Sequence, residues 1–273
     1  MGSFEGKHVL ITGASSGIGE ALAHEFAKLG GHLTLIARRK SRLEETTVQL
    51  KQSYPNQRFL VQVADVTSDE SIRVAVAESI KYNGPLDVVI ANAGFGVAGK
   101  LIDLKMEDYR RQFETNIFGV LRTIKETVPS LKSTRGRLAV VGSVNGYVSL
   151  PGISPYAMSK FSIRALCDAL YHELLPLGIS VSHIAPGFVV SEIRRVNNQG
   201  EFKNKARDPI PLWIQMDSQT ASQKIAKAIY RRQRERILTG HGWWIVRIYR
   251  FFPWIVCCLI KIFKIEARSE PQS

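Results

Sequence analysis

The chain has 273 residues, 45% of them hydrophobic, and a formal net charge of +13 at pH 7. That length and apolar share suffice for the core of one large α/β domain, and no glycine/serine linker, low-complexity block or internal repeat divides it, which excludes fibrous and repeat architectures. The charge makes nucleic acid and anionic membranes worth weighing, yet residues 192–273 hold 16 Lys/Arg against 7 Asp/Glu and residues 1–191 hold 21 against 17, so the basicity belongs mostly to the C-terminal third.

The N-terminus enters a strand without an apolar signal segment, so the chain is expected on the cytoplasmic side and not secreted. Met1-Gly2-Ser3 does not complete a myristoylation pattern, because Gly6 stands where that motif wants Ser or Thr. Cys167, Cys257 and Cys258 are odd in number and lack metal-ligand spacing, so free thiols in a reducing compartment and no metal are expected.

In chain order, the run from Lys7 to Thr12 reads as a buried strand. It ends in Gly13-Ala14-Ser15-Ser16-Gly17-Ile18-Gly19 and continues into a helix with apolar Leu22, Phe26 and Leu29. Gly13 permits the tight turn, Gly17 lets backbone approach a pyrophosphate, Gly19 allows close helix packing, and the first-turn N–H groups favour phosphate. The spacing G-x-x-x-G-x-G departs from the G-x-G-x-x-G dinucleotide fingerprint, and glycines serving only a tight turn are the alternative.

A second strand, His32 to Ala37, ends in Arg38-Arg39. An NAD-binding unit would carry Asp or Glu near here for the ribose 2′-hydroxyl, whereas an arginine suits a 2′-phosphate, so NADP(H) is expected. A solvated basic helix start is the alternative. Strands from Arg58 to Ala64 and from Leu86 to Ala91 end in Asp65-Val66 and Asn92-Ala93-Gly94 on the ligand side of the sheet, and a helix after Lys105 carries Asn116. Strands and helices alternating at this length imply a doubly wound, mostly parallel sheet.

The stretch from Gly136 to Lys160 brings the chemistry together. Leu138 to Val141 form a short apolar strand, Ser143 sits at its carboxyl end, and Ser154-Pro155 open a helix with Tyr156 and Lys160 on one face. With 8 Tyr and 16 Lys in the chain, about half an accidental Tyr-x-x-x-Lys match is expected, so the pair alone is weak. The serine on the preceding strand and the glycine-rich opening give it weight. A last buried strand runs from Ile179 to Ala185 and ends in Pro186-Gly187.

These marks, in this order, resemble the short-chain dehydrogenase/reductase family over about residues 5–240, from Thr12 through Tyr156-Ala157-Met158-Ser159-Lys160 to Pro186-Gly187. The resemblance implies a Rossmann-type fold with a seven-stranded sheet in three α/β/α layers, and a Ser143, Tyr156 and Lys160 centre assisted by Asn116. It implies NADP(H) contacts from Gly13, Ser15, Ser16, Gly17, Ile18, Gly19, Arg38, Asp65, Val66, Asn92, Ala93, Gly94, Tyr156, Lys160, Pro186, Gly187, Val189 and Ser191. Ser191 stands where the family often has Thr, with the hydroxyl kept. Tyr156 is expected to donate a proton to the substrate oxygen, with Lys160 and the oxidised nicotinamide lowering its pKa. Ser143 would hydrogen-bond that oxygen, and Asn116 would hold a water linking Lys160 to solvent.

The segment 188–217 reads as a substrate lid, with Phe188, Val189, Val190, Ile193, Phe202, Ile210, Leu212, Trp213 and Ile214 among basic residues. Its apolar content fits a pocket for a greasy ketone or alcohol, or mere loop packing. Residues 1–240 make the catalytic domain and 241–273 a hydrophobic, basic extension. The extension's longest charge-free run, Phe251 to Ile260, is 10 residues with Pro253 inside, short of a spanning helix. Its Trp, Arg and Lys residues, ending at Lys264, fit peripheral attachment to an anionic membrane or packing on the domain or on a partner subunit. Membrane-associated members of the family act on steroids and 3-ketosphinganine, which supports a lipophilic substrate by analogy. The family habit implies a homodimer, and the interleaved Trp and Phe argue against nucleic acid. The rival reading is a non-catalytic NADP(H)-binding regulator.

Overall fold

The computed structural model describes residues 3–203, 208 and 210–263, so the readings that fall on Met1, Gly2 and Lys264 lie outside it. Strands and helices alternate as β1 (His8–Thr12), α1 (Gly17–Lys28), β2 (His32–Ala37), α2 (Lys40–Ser53), β3 (Phe59–Val63), α3 (Asp69–Asn83) and β4 (Val88–Ala91). They continue as α4 (Met106–Phe113), α5 (Gly119–Thr134), β5 (Arg137–Val141), α6 (Ser154–Leu174), β6 (Ser180–Ala185), α7 (Ser218–Tyr230) and β7 (Glu235–Ile237). Two further helices, α8 (Gly240–Phe251) and α9 (Pro253–Ile262), close the described chain.

The seven strands form one parallel sheet in the order β3-β2-β1-β4-β5-β6-β7. Each crossover helix returns the chain to the same edge, so every strand's carboxyl end opens on one side. Side chains alternate between two cores. Val9, Ile11, Val88, Ile90 and Ala139 pack with Leu22 and Phe26 of α1, Leu43 and Leu50 of α2 and Ile225 of α7. Leu10, Val89, Ala91, Leu138 and Val140 pack with Ile72 of α3, Ile124 of α5 and Ile163 of α6. Burial on both faces explains why these strands are unbroken apolar runs rather than alternating ones.

Six strands are legible in the sequence, but β7 is not. Glu235-Arg236-Ile237 has a single apolar residue and lies at the sheet's edge, where charged side chains are tolerated and discourage pairing with other chains. Between α4 and α5 the helix widens into a π-turn, Glu114–Phe118, which turns Asn116 inward.

His8 joins β1 to its neighbours under the amino-terminal edge. Its Nδ1 lies 2.8 Å from the Gly84 carbonyl and its Nε2 2.9 Å from Thr34 Oγ1. The carbonyl can only accept, which assigns the proton to Nδ1, and Nε2 accepts from the hydroxyl. Burial pushes the imidazole down to about 4 from its ordinary 6.5. The unfolded chain therefore takes up a proton that the folded chain refuses as pH falls from 6.5 towards 4, and stability falls across that window. Between pH 7.5 and 5 the contribution is about 2 kcal/mol. In denaturant titrations, wild-type protein is expected to lose that much more stability over this range than His8→Gln, which keeps a neutral hydrogen-bonding group; parallel losses would discount His8.

Candidate active site

The glycine turn after β1 is built for close approach. Gly13 and Gly17 have φ of +67° and +57°, left-handed values that disfavour side chains. A Cβ on Gly13 would lie 2.8 Å from Ala93 Cα, and one on Gly19 would lie 2.2 Å from the Gly13 carbonyl oxygen. Helix α1 starts at Gly17 with its first N–H groups directed into the crevice between β1 and β4, where the sheet order reverses. Ser15 is buried beside this turn, and Ser16 precedes the helix in extended backbone.

Thr12 and Asn92 hold the turn against the end of β4. Thr12 Oγ1 accepts from the backbone N–H groups of Asn92 and Ala93, both at 3.1 Å. Asn92 Nδ2 donates to the carbonyls of Thr12 and Gly13 at 3.0 and 3.2 Å. Asn92 is therefore a strut between two strand ends, which leaves its carbonyl oxygen for other partners. In the sequence Thr12 reads as the last residue of a strand and the first of the family's marks, without an assigned contact; the structure gives it this one.

Asp65 and Val66 also shape loops. Asp65 Oδ1 accepts from the Thr67 N–H and hydroxyl, both at 2.9 Å, while Oδ2 lies 3.9 Å from Arg38. Val66 packs into the core at the place where a side chain on Gly119 would collide with it. Val189 turns its side chain into the core with Ile184 and Ala221. Ser191 lies against Gly17, its Cβ 3.1 Å from where a glycine Cβ would stand. Pro186 accepts the Val144 N–H at 2.8 Å, and Gly187 is packed against Thr239 and His241.

Ser143, Tyr156 and Lys160 converge beyond β5. Ser143 Oγ accepts from the Asn145 N–H at 3.1 Å and is hydrogen-bonded to Tyr156. Lys160, buried at the second turn of α6, donates from Nζ to the Val141 carbonyl at 2.9 Å, and its Nζ lies 5.7 Å from the Tyr156 ring centroid. Pro155 opens the helix without loss, because a first-turn N–H has no intrahelical partner. Tyr109 fixes that start through a 2.7 Å hydrogen bond to Ser154.

Burial is the largest influence on Tyr156 and raises its phenol above 10, with the Ser143 hydrogen bond and the Arg194 charge opposing it. Burial likewise pushes the Lys160 ammonium down to about 8. For Tyr156, desolvation of the phenolate outweighs the Ser143 hydrogen bond and the Arg194 charge, so the phenol keeps its proton at neutral pH. Asn116 binds protein groups through its side-chain amide. Its Oδ1 accepts from the Phe95 N–H at 3.1 Å, and its Nδ2 donates to the Phe95 carbonyl and to Ser159 Oγ at 3.0 and 3.1 Å. It positions the loop that carries Gly94 and Gly96, and a Cβ on Gly96 would stand 3.5 Å from the Tyr156 ring.

The segment 188–217, expected as a lid, is tied near its ends by Val190 N–H to Met216 O and Met216 N–H to Phe188 O, both at 2.9 Å. Arg194 knits its interior by donating to Asp208, Gln215 Oε1 and the Val189 carbonyl. Its apolar residues do not all line one pocket. Phe202 lies under Arg195 and Arg39, Phe188 stacks on His241, and Leu212 and Trp213 are exposed. Arg39 and Glu192, whose 2.8 Å ion pair joins β2's end to the lid, were missed in the sequence because they lie 153 positions apart.

The crevice fits a dinucleotide: the turn has no side chains where a pyrophosphate would approach, and hydroxyls and arginines surround a carboxylate at the end of β2. A family model described as short chain dehydrogenase matches residues 7–201. The 11-beta-hydroxysteroid dehydrogenase A of Sesamum indicum is 31% identical over 278 residues, covering 98% of this chain and 78% of its own. Dehydrogenase/reductase SDR family member 7B of Xenopus laevis is 30% identical over 245 residues, covering 85% and 73%. Among solved structures, an alcohol dehydrogenase of Thermococcus sibiricus complexed with 5-hydroxy-NADP has a TM-score of 0.75 at 28% identity, covering 85% of this chain and 95% of that one. A Burkholderia phymatum SDR in complex with NAD has a TM-score of 0.82 at 22% identity over the whole of both chains, a likeness of fold.

The raised Tyr156 phenol is open to direct test. In cofactor-free protein, the ultraviolet phenolate signal lost in Tyr156→Phe is expected to titrate above pH 10; a component titrating near neutrality would show that neighbouring hydrogen bonds and charges outweigh burial after all.

Proposed function

The chain belongs to the short-chain dehydrogenase/reductase family, and from that premise we propose that it is an NADP(H)-dependent oxidoreductase reducing a lipophilic ketone, steroid-like or a keto-lipid, to a secondary alcohol. The observation that carries the reading is the convergence of Ser143, a protonated Tyr156 and Lys160 beside the glycine turn. Arg38, at the end of β2 where the adenosine ribose of a dinucleotide lies, has its side chain 66% exposed and suits a 2′-phosphate.

The glycine turn from Gly13 to Gly19 and Arg38 would hold NADPH, which would supply a hydride for the carbonyl carbon. As negative charge builds on the carbonyl oxygen, hydrogen bonds from Ser143 and Tyr156 stabilise it, and Tyr156 gives up its phenolic proton. Lys160 then lies close enough to stabilise the phenolate, while its bond to Val141 fixes its position. Two of its N–H groups remain for a ribose. Asn116 and Ser159 keep the Tyr156 helix and the 94–97 loop in register.

The lipophilic substrate rests on the apolar lid and on the C-terminal helices, and the relative named a hydroxysteroid dehydrogenase points the same way. One side of α8 and α9 packs through Val246, Tyr249 and Val256 onto Tyr147, Val148 and Ala185. The other side exposes Trp244, Phe251, Trp254, Ile262 and Phe263, with Arg247, Arg250 and Lys261 among them and no acidic residue from 236 to 265. Among the described residues no helix is long and apolar enough to cross a membrane. A peripheral site on the anionic cytoplasmic face of a membrane suits this surface, with the body of the protein free to form a homodimer.

With a series of ketones of increasing chain length, purified protein is expected to consume NADPH, and Tyr156→Phe to lose about 10²- to 10⁴-fold in turnover while its NADPH affinity stays within about threefold. Wild-type-like turnover in the variant would refute the assignment. Sedimentation with phosphatidylserine-containing vesicles should capture the protein, phosphatidylcholine alone should capture much less, and a Trp244→Ser/Trp254→Ser pair should abolish the difference. Equal sedimentation by variant and wild type would remove the tail from membrane binding.

A further inference from the structure

Glu192 begins the short turn that follows Ser191, and its carboxylate lies against Arg39 and Arg42, just beyond the end of β2. Oε2 accepts from Arg39 at 2.8 Å and Oε1 from Arg42 at 3.1 Å, and the Ser16 side chain adds a third hydrogen bond. Arg39 meanwhile donates to the Ser15 carbonyl and hydroxyl, each at 3.3 Å. Two guanidinium groups and the hydroxyls of the glycine turn thus surround an anion, and that anion belongs to the chain. Burial works to raise the Glu192 carboxyl, but the hydrogen bond and charge of Arg39, with Ser16 and Arg42, outweigh it and hold the group ionised.

The location gives this arrangement its meaning. The end of β2 is where a dinucleotide's adenosine ribose and its 2′-substituent lie. Of the three arginines there, Arg39 and Arg42 are paired with Glu192, while Arg38, among the described residues, has a 3.9 Å ionic contact with Asp65. Ser191, the residue before Glu192, is packed on Gly17, so the backbone is anchored and the glutamate side chain is what must swing away.

We propose that Glu192 is a specificity-determining residue for the cofactor: an internal anion that occupies the 2′-phosphate cradle and competes with the phosphate for Arg39 and Arg42. This rests on the NADP(H) reading. It means that the arginines bind a 2′-phosphate less tightly than their number implies, and that a ligand without the phosphate leaves the glutamate in place.

Calorimetric titration of the full chain at pH 7.5 with adenosine 2′,5′-bisphosphate and with 5′-AMP tests this without turnover. In Glu192→Gln the preference for the bisphosphate over 5′-AMP is expected to rise about three- to tenfold over wild type, since a partly exposed pair is displaced. Glu192→Ala, which removes the carboxyl outright, should move the ratio the same way and guards against a variant that fails to fold. A ratio that stays the same or falls, including a parallel weakening of both ligands as expected of a simple clasp, overturns the proposal. If wild type prefers the bisphosphate and neither variant changes that preference, only the role of Glu192 falls. If neither wild type nor variants prefer it, the NADP(H) reading falls as well.

Discussion

Everything in the crevice depends on how β1 and β4 are joined at their carboxyl ends. The sheet order reverses there, so no crossover helix covers the gap, and the loops on either side would be free to splay. The Thr12 hydroxyl and the Asn92 amide close it with four hydrogen bonds, two accepted from the backbone after β4 and two donated to the backbone after β1. These bonds set the curvature of the glycine turn. A side chain at Gly13 or Gly19 would collide with that same backbone, so the glycines and the strut form one unit.

A second constraint acts at the reacting groups, where burial and charge oppose each other. A lysine and a tyrosine one helical turn apart would be ordinary surface residues on an exposed helix. On α6, Lys160 is 6% exposed and held by the Val141 carbonyl, and Tyr156 is enclosed enough that its phenol is harder to ionise than in water. The protonated phenol and a lysine pushed down to about 8 form a pair whose charges respond strongly to any fixed charge placed beside them.

The C-terminal helices are linked to that centre through Tyr147, four residues beyond Ser143. Its hydroxyl bonds Glu235 on β7 and lies 3.1 Å from His183 Nδ1 on β6, while Arg164 of α6 lies 4.2 Å from its ring centroid. Glu235 is held down to about 2, chiefly by His183 at 4.0 Å and by its hydrogen bond with Tyr147. Since α8 and α9 pack on Tyr147 and Val148, the apolar tail and the Ser143 loop share one wall. The exposed apolar surface of the two helices is thereby packed directly against the loop that follows Ser143.

The parallel sheet, its glycine turn and the Ser143, Tyr156 and Lys160 set were legible in the sequence, because each depends on local pattern: unbroken apolar runs, glycines at fixed spacing, two side chains at i and i+4. The edge strand β7 was not, since three residues with charges carry no period and pair only because β6 lies beside them. Nor were the roles of Asn92, Asn116 and Asp65, whose polar groups are committed to backbone and neighbouring side chains brought near by the crossovers. The direction of the Tyr156 shift and the Arg39–Glu192–Arg42 cluster were likewise decided by tertiary structure. Desolvation and ion pairing depend on which groups become neighbours in space, and a linear pattern of residue types records neither.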